Sequence, residues 1–370
     1  MLVEDKSALE VLVAEARAST PKGEKVRLAL DTEADSYHCY REKLCLIQFG
    51  ANGRFAVIDP LKIGNDNHQP LLDLMAESEI WFHGSDYDLL LWKRTFGILP
   101  HFVYDTQIAA QLIGTEKFGL AALLEEHFDV HLAKESQRAD WGKRPLSAEM
   151  VEYAINDVRH LLPLADRLLA ELDRLGRREW FIESCQANLD SSANRKEKDP
   201  DELWRVRGWG RLKPRGWAYL RAIWQWRDMQ AAAVDRPAFK VMPNGKLIYL
   251  AERLQTGKES RLVGKYTEAQ KAAFNTMVDE ARALPDNELP KRRRGTGRGR
   301  IPDLPERVEP IKLFRDVQAK ELGLDPALIA SRTVLEDLVI NPADAEDTLM
   351  RWQYQIMAPA IEQLKLPPTG

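Results

Sequence analysis

Asp31 and Glu33 stand two residues apart in LALDTEAD, directly after the apolar run from Val26 to Leu30. An i, i+2 pair on a strand points both carboxylates to one face. A second acidic segment, WFHGSDYDLLLW, carries Asp88 with His83 upstream. A third, VEYAINDVRHLL, places Tyr153 and Asp157 at i, i+4, so phenol and carboxylate share a helix face. Four carboxylates brought together repel strongly unless cations neutralise them. Hard oxygen ligands of this kind suit Mg²⁺ or Mn²⁺. Two such ions about 3.5–4 Å apart clamp the attacking and leaving oxygens of a phosphodiester cleavage. A lone DTE is common, and an i, i+4 Tyr/Asp pair is ordinary helix surface. It is the ordered set, at strand end, helix start and helix interior, that points to one metal-dependent site.

That ordered set also resembles a known family. DTE (31–33), HGSDYD (83–88) and YAIND (153–157) resemble the three exonuclease motifs of the DEDD superfamily, in its tyrosine-containing branch. LCLIQ (44–48), DTQIAAQL (105–112) and SQRADWGKRPLS (136–147) are similar to ribonuclease D. The resemblance spans about residues 24–172. It implies an RNase H-like fold with a mixed sheet and 3′→5′ exonuclease activity with two divalent metals. On this likeness Asp31, Glu33, Asp88 and Asp157 hold the ions, and Tyr153 orients the attacking water. A phenol with a pKa of about 10 is a poor base at neutral pH. The product is then a nucleoside 5′-monophosphate. His83 is either a substrate contact or a strand-end histidine bonded to backbone. Gln137, Arg138, Asp140 and Trp141 match a family loop, which they order or through which they touch nucleic acid.

Helical geometry separates Asp86 from Asp88, because side chains two residues apart point to nearly opposite sides. The family motif favours Asp88, leaving Asp86 to complement the helix dipole. Asp105 opens DTQIAAQL and reads as a helix cap. Asp35 reads as a loop residue, since polar residues end the strand pattern.

The elements that must position these groups follow from periodicity. Strand-like runs at 26–30, 44–49 and 54–58, with Ala51-Asn52-Gly53 between the last two, predict an antiparallel meander. Helical patterns then alternate with strand-like Ile80–Phe82 and Phe102–Tyr104. The N-terminus, MLVEDKSALEVLVAEA, reads as an acidic amphipathic helix without a secretion signal.

The expected division is an exonuclease domain at 1–190, a polar linker at 191–201, a helical domain at 202–283, a Pro/Gly/Arg-rich linker at 284–310 and a second helical region at 311–370. The 202–283 segment resembles the helicase-and-RNase-D C-terminal (HRDC) domain, a helical module that contacts nucleic acid, and 311–370 resembles a degenerate second copy. Residues 204–227 carry six Arg, one Lys and no acid. Trp217, Leu220, Ile223 and Trp224 fall on one helical stripe and predict a core. Arg205, Arg207, Arg211, Lys213, Arg215 and Arg221 are expected at the surface, where they can meet phosphates. Residues 291–300, KRRRGTGRGR, read equally as a solubilising linker or an RNA contact.

The net charge of −4 hides this segregation. The absence of any apolar run of about 18 residues excludes a membrane-spanning helix. Cys39, Cys45 and Cys185 lack zinc spacing and fit a reduced cytoplasmic setting. The expectation is therefore a cytoplasmic, monomeric exoribonuclease acting on tRNA precursors or other structured small RNA. A DNA 3′→5′ exonuclease and a non-catalytic RNA-binding adaptor are the alternatives.

Overall fold

The structure, a computed structural model, describes residues 1–132, 139–197, 199–264, 266–292, 301 and 303–365. Among them six strands form one mixed sheet: β1 (Leu2–Val3), β2 (Arg27–Ala34), β3 (Leu44–Ala51), β4 (Arg54–Ile58), β5 (Glu79–Phe82) and β6 (Tyr104–Asp105). Their order is β1-β4-β3-β2-β5-β6. The expected meander is present, with β2, β3 and β4 antiparallel. Asn52 (φ 47°) and Gly53 (φ 76°) close its second hairpin, since both central residues of such a turn need positive φ. β5 and β6 extend the sheet in parallel beyond β2.

β3 is central and covered on both sides, so its residues are almost continuously apolar, whereas β2 carries Asp31, Thr32 and Glu33 in its second half. Leu28 and Leu30 face a layer built from the helices Lys6–Ala18, Gln69–Glu77 and Asp86–Phe96. Ala29 faces the other layer, with the helices Thr106–Leu112 and Leu161–Arg174. The helix Ala148–Arg159 lies on that same side, where Ala154 and Ile155 pack with Leu46 and Val57. Leu2 and Val3 pair with Val57 and Ile58 instead of starting a helix. Asp5 sets the helix start, its side chain accepting from the Ala8 amide at 2.9 Å.

The chain divides into two compact units. The first contains residues 1–34, 44–195 and 299–370. Its C-terminal helices Leu304–Leu322, Arg332–Ile340 and Arg351–Lys365 share one core with Leu161–Arg174 and Arg178–Asn194. Trp180 stacks on Trp352 with ring centroids 4.9 Å apart. Arg177 donates to the carbonyls of Leu112 and Leu322 at 2.7 and 2.6 Å. Gly114 (φ 89°) passes so close to Gly323 that any Cβ would strike its carbonyl oxygen. The helices from Leu304 to Lys365 thus pack with the nuclease helices in the first unit.

The second unit contains residues 35–43 and 196–298. Its core is the face of helix Pro214–Ala233 that carries Trp217, Leu220, Ile223 and Trp226, packed on Leu247, Phe274 and Val278. Trp224 of the expected stripe is only partly buried. The 35–43 loop belongs here because Tyr40 donates its hydroxyl to Asp228 at 2.7 Å and Tyr37 meets Phe239 edge-on. No described helix is long and apolar enough to cross a membrane.

Candidate active site

Carboxylate oxygens of Asp31, Glu33 and Asp157 all lie within 4.8 Å of one another. Strand alternation puts Asp31 and Glu33 on one face of β2, beneath the helix Ala148–Arg159. That helix supplies Asp157, with Tyr153 one turn earlier. Its entry is held by Ser147, which caps the Met150 amide at 3.2 Å, and by Arg144. The Arg144 guanidinium donates twice to the fully buried Asp59, at 2.5 and 2.8 Å, and also to the Trp141 and Cys45 carbonyls.

Asp88 reaches the cluster from the opposite side of the sheet. It is 6% exposed, near the start of Asp86–Phe96, and accepts from the Thr32 hydroxyl at 2.5 Å. Thr32 alternates to the face away from Asp31 and Glu33, which is why it meets this helix. Asp88 lies outside the 4.8 Å group, although the charge of Asp31 acts on it and its own charge acts on Glu33. Asp86 is exposed. Asp105 accepts from the Gln107, Gly84 and Ser85 amides at 2.7–2.9 Å, capping one helix and fixing the turn into another. His83 Nδ1 lies 2.9 Å from Thr106 Oγ1, whose own hydrogen goes to the Phe82 carbonyl. Burial lowers the His83 pKa, against the opposing charge of Asp105.

Crowding sets the electrostatics. Burial, then the charges of Asp31, Asp157 and Asp88, raises Glu33 to about 9. Burial raises Asp157 to about 7. Asp31, desolvated and beside Asp157, lies well above the ordinary carboxylate range, as does Asp88, buried and beside Asp31. The Tyr153 phenol is pushed up by burial and then by Asp157, Glu33 and Asp31. Clustered oxygen donors that cannot all ionise unaided fit a divalent cation.

Residues 1–173 match the 3′-5′ exonuclease family model. The ribonuclease D of Gluconacetobacter diazotrophicus is 30% identical over 91% of this chain and 87% of its own length. That of Pseudomonas paraeruginosa is 31% identical, with 90% of each chain covered. The chain belongs to the ribonuclease D family. The crystal structure of Escherichia coli RNase D agrees, with a TM-score of 0.72, 26% identity and 98% of each chain covered. The activity is that of a 3′-5′ exoribonuclease.

Several residues expected at the substrate sit elsewhere in this ribonuclease D fold. Trp141 is 1% exposed and packs under Tyr153, ring centroids 5.9 Å apart. Its ring is packed inside the fold and not presented to solvent. Arg205 is held between Trp204 and Trp209, 4.7 and 4.5 Å from their ring centroids, and is ion-paired to Glu202. Arg215 donates to the carbonyls of Ala281, Arg282 and Leu284, and to Asp286 at 2.7 Å. Both guanidiniums are engaged by protein partners inside the second unit. Arg207, Arg211 and Lys213 are exposed. Gln137 and Arg138, and residues 293–300 of the basic run, lie outside the described residues. Thr32, Asp59 and Arg144 were not anticipated, because their partners lie 56 and 85 residues away along the chain.

Proposed function

We propose that this exoribonuclease trims the 3′ ends of structured RNA such as tRNA precursors, with two Mg²⁺ or Mn²⁺ ions held by Asp31, Glu33, Asp88 and Asp157. The observation that carries the reading is the position of Asp31, which faces Glu33 and Asp157 on one side and the charge of Asp88 on the other. A carboxylate so placed suits sharing between two cations. When bound, the ions supply Lewis acidity to the water nucleophile and to the departing 3′ oxygen.

The chain's own residues do the rest. Tyr153 remains a neutral phenol, able to donate to or accept from a water beside Asp157. Thr32 and Arg144 hold the two helices that bring Asp88 and Asp157 to β2. In the second unit, the exposed Arg207, Arg211 and Lys213 can meet phosphates, which suits the nucleic-acid-contacting role proposed for residues 202–283. The E. coli relative, described as an exoribonuclease involved in structured RNA processing, supports the substrate class.

The test uses a structured RNA labelled at its 5′ end, a second labelled at its 3′ end, and a DNA of equal sequence. Stepwise shortening of the 5′-labelled RNA and early release of labelled mononucleotide, both dependent on Mn²⁺ or Mg²⁺ and lost in Asp31→Asn, are expected. Cleavage that survives chelation or the Asp31 substitution rules the assignment out.

A further inference from the structure

Gln48 is the one side-chain amide in β3, LCLIQFGA, and it is fully buried. Neither its nitrogen nor its oxygen has a hydrogen-bond partner among the described residues. Leaving both ends of a buried amide unpaired costs stability, and an apolar residue of the same size would avoid the cost. Packing alone therefore does not account for a glutamine here.

Its neighbours identify the missing partner. Gln48 pairs directly with Asp31 on β2 and with Val57 on β4. Directly opposite residues on antiparallel strands share a face, with Cβ atoms about 4.5–5.5 Å apart. Val57 offers no polar side-chain atom. Ala154 and Ile155, from the helix above, are apolar and buried with Leu46 and Val57. Of the two residues paired directly with Gln48, Asp31 is the one with a polar side chain. An ionised carboxylate has about four lone-pair sites. Those turned toward a cation are used by it, the Thr32 backbone N–H is bonded to the same carboxylate, and a further lone pair is open to a side-chain donor.

We propose that Gln48 is a positioning residue, whose amide N–H holds the Asp31 carboxylate in its cation-binding orientation. The proposal rests on the cation reading of the acid cluster given above. The amide is paired when the cluster is loaded and unpaired when it is empty.

Gln48→Met, with Gln48→Leu as a second apolar variant, separates this role from a packing role. Mn²⁺ binding to the full chain is measured by calorimetry, and the melting temperature is measured in chelator. The expected result is Mn²⁺ affinity weakened by about 10–100-fold, as for loss of the outer hydrogen-bond partner of a metal ligand. The melting temperature in chelator should be unchanged or higher. Unaltered Mn²⁺ affinity in both variants overturns the proposal. So does a lower melting temperature with unaltered affinity, which would assign the amide to the fold alone. Absence of Mn²⁺ binding by the unsubstituted chain overturns the cation reading and this proposal with it.

Discussion

The Thr32 hydroxyl donates to the Asp88 carboxylate at 2.5 Å, joining the strand of the first acidic motif to the helix of the second. It favours the ionised form of a carboxylate that burial and Asp31 otherwise push toward protonation. Thr32→Val keeps the shape and removes the donor. Turnover at limiting Mn²⁺ should fall by roughly 10–100-fold. Saturating Mn²⁺ should recover part of the loss, because the ligands themselves remain. A variant with unchanged Mn²⁺ dependence would show that Asp88 needs no such support.

Asp86 and Asp88 differ in what surrounds them, although both stand in the first turn of one helix. Asp86 is exposed, whereas Asp88 is 6% exposed and turned toward β2. Asp88→Asn should abolish measurable cleavage, and Asp86→Asn should leave the rate within about two-fold of the original, as for a surface change. Parallel rate measurements decide this, and a silent Asp88→Asn would remove it from the ligand set.

Tyr153 is assigned to the water and not to the ion. Its phenol is held above its ordinary pKa by burial and by the acids around it. Tyr153→Phe should lower kcat by roughly 10²-fold, the lower end for a positioned proton-handling group. Mn²⁺ affinity should stay close to that of the unsubstituted chain. Equal loss of affinity in Tyr153→Phe and Asp157→Asn would assign the phenol a different role.

The raised acids make the cation-free fold sensitive to pH in a definite direction. Glu33 at about 9 and Asp157 at about 7 hold protons in the folded state that the unfolded chain gives up at lower pH. The folded state then binds more protons, so stability falls as pH rises. The full contribution is present below the unfolded carboxylate values and is lost through about 7 for Asp157 and about 9 for Glu33. In chelator the melting temperature should drop between about pH 5 and pH 9. Mn²⁺ should restore it most at the alkaline end, where proton release no longer opposes binding. A melting temperature in chelator that rises over this interval would contradict the crowding of these four acids.

Local spacing was the legible part of this molecule. Asp31 and Glu33 fall on one face of β2, and Tyr153 and Asp157 on one face of a helix, because two-residue and four-residue repeats are properties of the backbone itself. The Asn52-Gly53 turn was readable for the same reason. What spacing could not supply were partners distant in sequence. An arginine-rich stretch invites a phosphate reading, yet Arg205 lies between two indoles and Arg215 closes a helix end. Nothing in the composition separates such arginines from Arg207 or Arg211, which are exposed. Trp141 had the same ambiguity, and its ring lies buried beside Tyr153. The helices from Leu304 onward carry ordinary amphipathic patterns. These specify an apolar face but not that Leu161–Arg174 and Arg178–Asn194 would cover it.

The basic run 291–300 supplies the last prediction. It holds five arginines and one lysine in a chain of net charge −4. Lys291 and Arg292 are exposed, and the Lys291 carbonyl accepts from Arg205 at 2.9 Å, so these first two residues lie at the surface of the second unit. Neutralising Arg292, Arg293, Arg294, Arg298 and Arg300 together should weaken binding of long structured RNA. Each lost phosphate contact should flatten the slope of log affinity against log salt by roughly 0.7–0.9. Cleavage of an oligonucleotide too short to leave the acid cluster should change little, since the substituted residues are not part of that cluster. The competing account is a solvated tether that touches nothing. It predicts the same salt slope for long RNA before and after neutralisation, and binding measured across a salt series distinguishes the two. A steeper loss for long RNA than for the short oligonucleotide assigns the run to substrate capture, and an equal loss for both would place its effect at the active site instead.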